Sequence, residues 1–289
     1  MKRESNPCGS PAGDAVPGAV PAPGRRGGAG HLIRRTVLAA GICLVLGWMS
    51  VSASSAEGID PEADKVLRSM SAYLGGLRAF SVDVDIDNEH IDTNGQKLQL
   101  SSFASLVAER PGKLYMYRWG VFADTEFIFN GKVLTLYGKD RNAYLQIDSP
   151  GSIDDAIETV RSEIGLDAPG ADLLYADPYS GLIDGVQSAT YFGMVYVNGL
   201  ECHYLAFREA EVDWQLWVQA GDAPFPVKYV ITTKWVTGAP QYAVRFYNWN
   251  ATPAIPSGRF NFNLPGGAKK IESVRVNPVG EAMLTEEAQ

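Results

Sequence analysis

The sequence predicts an α+β fold, mainly antiparallel β, in which one bent sheet wraps around a few short helices. Three observations carry that expectation. Asn94-Gly95, Asn130-Gly131 and Asn198-Gly199 each read as a two-residue hairpin turn, because both residue types tolerate the positive φ such turns need. Pro111-Gly112 marks a further turn, and tight turns join antiparallel neighbours. The strands flanking two of these turns are apolar in both phases, so each face of the sheet needs a cover or a curvature that encloses something. Helical patterning is confined to short stretches, too few to cover so much strand.

The elements follow in order. Asp60-Pro61 supplies an N-cap and a first-turn proline, Val66, Leu67, Met70, Tyr73 and Leu74 recur at helical spacing, and Gly75-Gly76 stops the helix. Phe80, Val82, Val84 and Ile86 then alternate with Ser81, Asp83, Asp85 and Asp87, a strand with one wet face. A helical insertion interrupts the strands. Ser152 caps it with Asp155 three residues on, Ile153, Ala156, Ile157, Val160 and Ile164 form its stripe, and Gly165 ends it. A short helix starts at about Ala171 and restarts at Asp177-Pro178. Strands resume at Tyr191 and run to Leu264, with alternation in Val212-Trp214-Leu216-Val218 and in Tyr229-Ile231-Trp235.

A two-residue turn at Asn130-Gly131 pairs Phe129 with Lys132 and Phe127 with Leu134. Phe127, Phe129, Leu134 and Leu136 then share one face, with Ile128, Val133 and Tyr137 opposite. At Asn198-Gly199, Phe192, Met194, Tyr196, Leu205 and Phe207 fall on one side, with Val195, Val197, Leu200 and Cys202 on the other.

The chain has 289 residues, a net charge of −8 and 46% hydrophobic residues, enough for a sizeable core. Residues 1–30, rich in Pro, Gly and Ala, read as disordered or as an upstream extension. Residues 31–56 carry Arg34-Arg35, the apolar run Val37 to Met49 and Ala53-Ser54-Ser55-Ala56, the order of a secretory signal cleaved after Ala56 or, alternatively, Ala53. An inner-membrane anchor is the alternative, although the run is shorter than the ~20 residues a spanning helix needs. No linker or repeat divides 57–289, so it reads as one domain, ordered over about 60–265 with a flexible tail over 268–289. Removing Met1 to Ala56 leaves 19 basic and 31 acidic residues, a net charge of −12. Such a chain repels phosphate backbones, which argues against nucleic-acid binding. Its single cysteine, Cys202, permits no internal disulfide.

Motifs for chemistry are sparse. Only His90 and His203 remain after the signal, no CxxC or HExxH occurs, and no metal or cofactor is expected. Asp83-Val-Asp-Ile-Asp87 begins like a calcium loop, but Asn88 stands where the turn glycine belongs. Cys202 and His203 are neighbours on a strand and point to opposite faces, so they form no dyad. There is no GxSxG, GxGxxG or P-loop, and no catalytic residue is assigned. Aromatic residues are the remaining excess. Trp214, Trp217, Tyr229, Trp235, Tyr242 and Phe246, on successive strands, are candidates to line a cavity for an apolar ligand.

Two segments carry a resemblance. Glu109-Arg-Pro-Gly-Lys-Leu-Tyr115 followed by Phe129-Asn-Gly-Lys-Val-Leu-Thr-Leu-Tyr137 resembles the core of the periplasmic lipoprotein carriers of the LolA/LppX type, and Arg259-Phe-Asn-Phe-Asn-Leu-Pro-Gly-Gly267 resembles their closing strand and turn. Val212-Asp-Trp-Gln-Leu-Trp-Val218 and Tyr229-Val-Ile-Thr-Thr-Lys-Trp235 resemble an exported bacterial family of unassigned function within that superfamily. The resemblance implies an incomplete, strongly curved β-barrel with a helical lid on its concave face and a cavity for acyl chains. It also implies that Arg110, at the matching arginine, latches the lid. Phe127, Phe129, Leu134, Leu136, Trp214, Leu216, Tyr229, Ile231, Tyr242 and Phe246 are the cavity candidates. The function expected is that of a non-enzymatic periplasmic carrier or binding protein for a lipid, a lipoprotein acyl chain or another apolar ligand. The alternative is an envelope sensor of the RseB type that binds an envelope protein partner.

Overall fold

One carboxylate organises the start of the fold. Asp60 accepts the amide of Glu62 at 2.9 Å, capping helix α1 (Pro61–Gly76), and the amide of Tyr191 at 3.2 Å, in strand β7 (Ser188–Val197). The stripe read from the sequence is the face α1 buries: Val66, Leu67, Met70 and Leu74 are all buried. Burying four such side chains is worth about 1.5–3 kcal/mol each. The computed structural model describes residues 58–284. The extension and signal peptide expected over residues 1–56, and the alternative anchor, lie outside the described residues.

Among the described residues, eleven strands meander in sequence on either side of a helical insertion. The first group is β1 (Ala79–Ile91), β2 (Lys97–Glu109), β3 (Lys113–Gly120), β4 (Asp124–Phe129), β5 (Val133–Gly138) and β6 (Ala143–Asp148). After the helical insertion come β7, β8 (Leu200–Arg208), β9 (Val212–Gln219), β10 (Pro226–Thr233) and β11 (Gln241–Asn250). Strand β11 returns to pair with β1, and β12 (Lys269–Lys270) adds in parallel to β6. The sheet order is β12-β6-β5-β4-β3-β2-β1-β11-β10-β9-β8-β7; its two edges do not meet, so the curved sheet stays open.

The turns depart from the simplest reading. Asn198-Gly199 is a two-residue turn, with both residues at positive φ and Val197 opposite Leu200. Asn94-Gly95 instead sits within a five-residue loop between the paired Ile91 and Lys97, where Asp92 accepts the amides of Asn94 and Gln96 at 2.8 Å. At Asn130-Gly131 the Asn130 side chain accepts the amides of Lys132 and Val133, widening the loop so that Phe129 pairs with Leu134 and Phe127 with Leu136. A shift of two residues preserves every face, because the side-chain period is two. In β7 a bulge at Phe192 turns that ring to the outer face, stacked on Tyr204 and away from Leu205 and Phe207. The acidic phase of β1 is not fully solvated: Asp87 is buried, taking hydrogen bonds from Ser101 and Arg245.

Helices cover the inner face at its two ends. Ser152 and Asp155 close a capping box on α2 (Ile153–Thr159), which continues as a π-helical turn over Val160–Ile164 and stops at Gly165, φ 71°. Pro111 O accepts the Ile153 amide at 2.7 Å, which pins α2 to the β2–β3 turn. Gly112 permits this, because a Cβ there would meet Gly151 O at 2.6 Å. Under α2 pack Phe129, Leu134, Leu114 and Leu145; under α1 and α3 (Pro178–Ile183) pack Leu205, Phe207, Trp214 and Leu216. The tail expected over 268–289 is, as far as Leu284, part of the fold. Lys269 N and Ile271 N donate to Asn142 O and Tyr144 O, and β13 (Arg275–Val276) pairs with β14 (Ala282–Met283) as a small separate hairpin. Ile271 and Leu284 anchor it in the core.

Candidate functional site

Between the two helical covers a cavity of about 220 Å³ lies over the inner face of the central strands. Its floor is Val82, Val84 and Ile86 of β1, Ala104 and Leu106 of β2, Met116 of β3 and Val244 and Phe246 of β11. Registers explain the assembly: Val84 pairs with Ala104 on one side and Phe246 on the other, and Leu106 pairs with Met116. The roof is Ile157 and Val160 with the segment from Leu166 to Leu174, which ends in a 3-10 turn over Ala171–Leu174.

That roof is tied down by polar groups around an apolar interior. Arg110, just past the end of β2, donates Nη1 to Leu174 O at 2.8 Å. Its Nε and Nη2 are buried and find no partner among the described residues. Burial lowers the guanidinium below its ordinary value, with Asp154 acting in the opposite direction. Arg161 donates to Asp172 at 2.9 Å and to the Tyr175 hydroxyl, which donates to Glu158 at 2.5 Å. Burial pushes the Tyr175 phenol up to about 12. Asp154 accepts the Ala176 amide at 3.1 Å.

The ten cavity candidates divide. Phe127, Leu136, Tyr242 and Phe246 line the cavity. Phe129 and Leu134 are sealed beneath α2, while Trp214, Leu216 and Tyr229 are sealed beneath α1 and its neighbours, with Ile231 packed at that core's margin. All ten hold inner-face positions; where the helices settle decides which stay bare. Of the wider aromatic set, Trp217 lies on the outer face, stacked 4.7 Å from Tyr204 with Lys228 over its ring, and Trp235 is exposed.

The cavity wall also holds a charged pair that the sequence reading missed. Arg118 of β3 and Glu281 of the C-terminal hairpin both line the cavity and are ion-paired. Arg118 shares its strand phase with Leu114 and Met116, so a charge in an apolar phase was the available signal. Elsewhere Cys202 is a buried free thiol, and the His203 ring meets the Tyr191 hydroxyl at 3.0 Å. Among the described residues no three His, Cys, Asp or Glu gather as a metal site, and no helix is long and apolar enough to cross a membrane.

Residues 63–274 match the family described as "Predicted periplasmic protein (DUF2092)". The chain belongs to this family. DUF2092 is described as periplasmic, which agrees with the localisation expected from the sequence. No curated protein matches the chain. Among solved structures it is similar to LprF from Mycobacterium bovis, at 18% identity over 68% of this chain and 97% of that one, with a TM-score of 0.44. It is similar also to the lipoprotein LppX from Mycobacterium tuberculosis, at 13% identity over 68% and 100%, TM-score 0.39. A LolA superfamily protein from Nitrosomonas europaea is similar at 7% identity over 69% and 97%, TM-score 0.37.

Proposed function

We propose that this DUF2092 protein is a non-enzymatic periplasmic carrier or binding protein for an acyl chain or similar apolar ligand. The observation that carries the reading is the apolar cavity of about 220 Å³ between the uncovered central strands and a roof held by hydrogen bonds. An engineered apolar cavity of about 150 Å³ takes up benzene, so this volume accommodates a hydrocarbon segment. A full acyl chain needs more room, and the roof would lift to supply it. Arg110 is the proposed latch, because its single donated bond to Leu174 O holds the roof's end. Transfer then needs no covalent step: burial gains about 0.8 kcal/mol per methylene, and opening returns it. The test is to express the protein in a periplasm, extract it with organic solvent and titrate it with a lipophilic dye. Copurifying lipid and saturable dye binding are expected; the absence of both would overturn the reading.

A second reading has its own support. Trp119, Val121 and Phe122 at the β3–β4 turn are 59%, 70% and 47% exposed, an apolar tip of the kind that marks interaction surfaces. This favours an envelope protein partner. Capture from envelope extracts of a stoichiometric protein partner, with no lipid bound, would select the sensor role.

A further inference from the structure

Resting on the carrier reading, we propose that the ligand is a single-tailed amphiphile with a carboxylate head, received by Arg118, and that Glu281 occupies the head position while the cavity is empty. Arg118 projects from near the end of β3 on the inner face, flanked across the sheet by Ala104 and Thr125, in a wall that also includes Val84, Met116, Phe127 and Tyr242. A guanidinium there is costly unless it is paired. Its partners are the Glu281 carboxylate and the Ser102 hydroxyl at 3.3 Å, and its Nε is buried with no partner among the described residues. A planar fork of five donors suits a carboxylate, and this fork is incompletely used.

Glu281 is the removable member of the pair. It belongs to a two-stranded hairpin separate from the main sheet and follows Gly280 (φ 81°). Asn277 holds that turn by accepting the Glu281 amide at 2.8 Å, and Asn88 holds it to the sheet by donating to Val279 O at 2.9 Å. Burial pushes the Glu281 carboxyl up against the pull of Arg118, so its charge is held at a cost. A ligand carboxylate placed on Arg118 takes over the pairing, frees Glu281 to reach water, and leaves its tail along Val84, Met116 and Phe127.

The test is equilibrium binding of dodecanoate and dodecanol, which share a tail and differ in the head. Wild type is expected to bind dodecanoate more tightly. Removing the internal competitor with Glu281→Ala should tighten dodecanoate about tenfold, the scale of one charge-assisted hydrogen bond, and leave dodecanol within about twofold. Arg118→Met, which keeps the stem and removes the charge, should erase the preference. Glu281→Gln, nearly isosteric, gives the same comparison if the alanine variant folds poorly. Equal affinities for both ligands in wild type and in the Glu281 variants, or a preference that survives Arg118→Met, overturns the assignment of the head while leaving the carrier reading intact. Failure of both ligands to bind wild type overturns the carrier reading itself.

Discussion

Replacing Arg110 with methionine separates a latch from a structural strut. The substitution keeps most of the stem's volume and removes one donated bond, Nη1 to Leu174 O at 2.8 Å. A hydrogen bond from a charged donor is worth about 1.5–3 kcal/mol, and less where water replaces it on opening. Closure of the roof should therefore weaken by about 1–2 kcal/mol, a factor of roughly 5–30 in the open population. Global stability should move the other way or not at all, because the variant no longer buries a guanidinium with two unpartnered nitrogens. Native-state hydrogen exchange reads both quantities. The amides of Leu173 and Tyr175, which bond to Gly170 O and Asp172 O, should exchange faster by that factor, while amides inside α1 and β1 keep their rates. Dye release should accelerate to the same extent. A lowered melting temperature with uniformly faster exchange would refute the reasoning, since it would make Arg110 a support for the whole fold.

Other expectations are simpler. Val84→Phe pushes a ring into the cavity from its floor and should weaken dye binding at least about tenfold while leaving thermal stability unchanged or higher, because a void is being filled; retained affinity would place the ligand elsewhere. Leu67→Ala, at a fully buried position on the inner face of α1, should cost about 2–5 kcal/mol in urea unfolding with the cavity unaffected. Asp60 has its carboxyl held below the ordinary value of 3.8, first by the Glu62 amide and then by the Tyr191 amide. Its folded pKa is thus below its unfolded one, so its contribution is complete above about pH 4 and is lost as pH falls through the folded value. Asp60→Asn should flatten that part of the acid unfolding profile, and an unchanged profile would assign it to other carboxylates.

Local signals in the sequence read well where one residue's chemistry decides the structure. The α1 cap and stripe, the Ser152–Asp155 capping box and the Asn198-Gly199 turn are of this kind. Apart from Phe192, the faces of the hairpin strands were legible as well, while the register at Asn130 was not, because the wider loop depends on a side chain accepting two amides. The Phe192 bulge left little trace beyond Gly193, at φ 98°. The cavity was legible only as an excess of inner-face apolar residues. Phe129 and Phe127 occupy equivalent positions two residues apart, yet one is sealed under α2 and the other lines the void. That difference depends on where a helix lands across the sheet, which no local pattern encodes.

The size of the cavity sets how affinity should depend on chain length. A space of about 220 Å³ walled by Val84, Leu106 and Met116 gives a hydrocarbon tail apolar contacts that water does not supply. Burial gains about 0.8 kcal/mol per methylene, so each carbon that enters adds to affinity until the space is full. A series of straight-chain alcohols should consequently gain affinity about fourfold per added methylene at first. The gain should fall off once the space over Val84 and Leu106 is full and further methylenes must lift the roof at Leu174 away from Arg110. Arg110→Met should extend the steep part of the series to longer chains, because it weakens the bond that resists lifting. Affinity independent of chain length would mean that the tail stays outside, whatever part of the protein binds it.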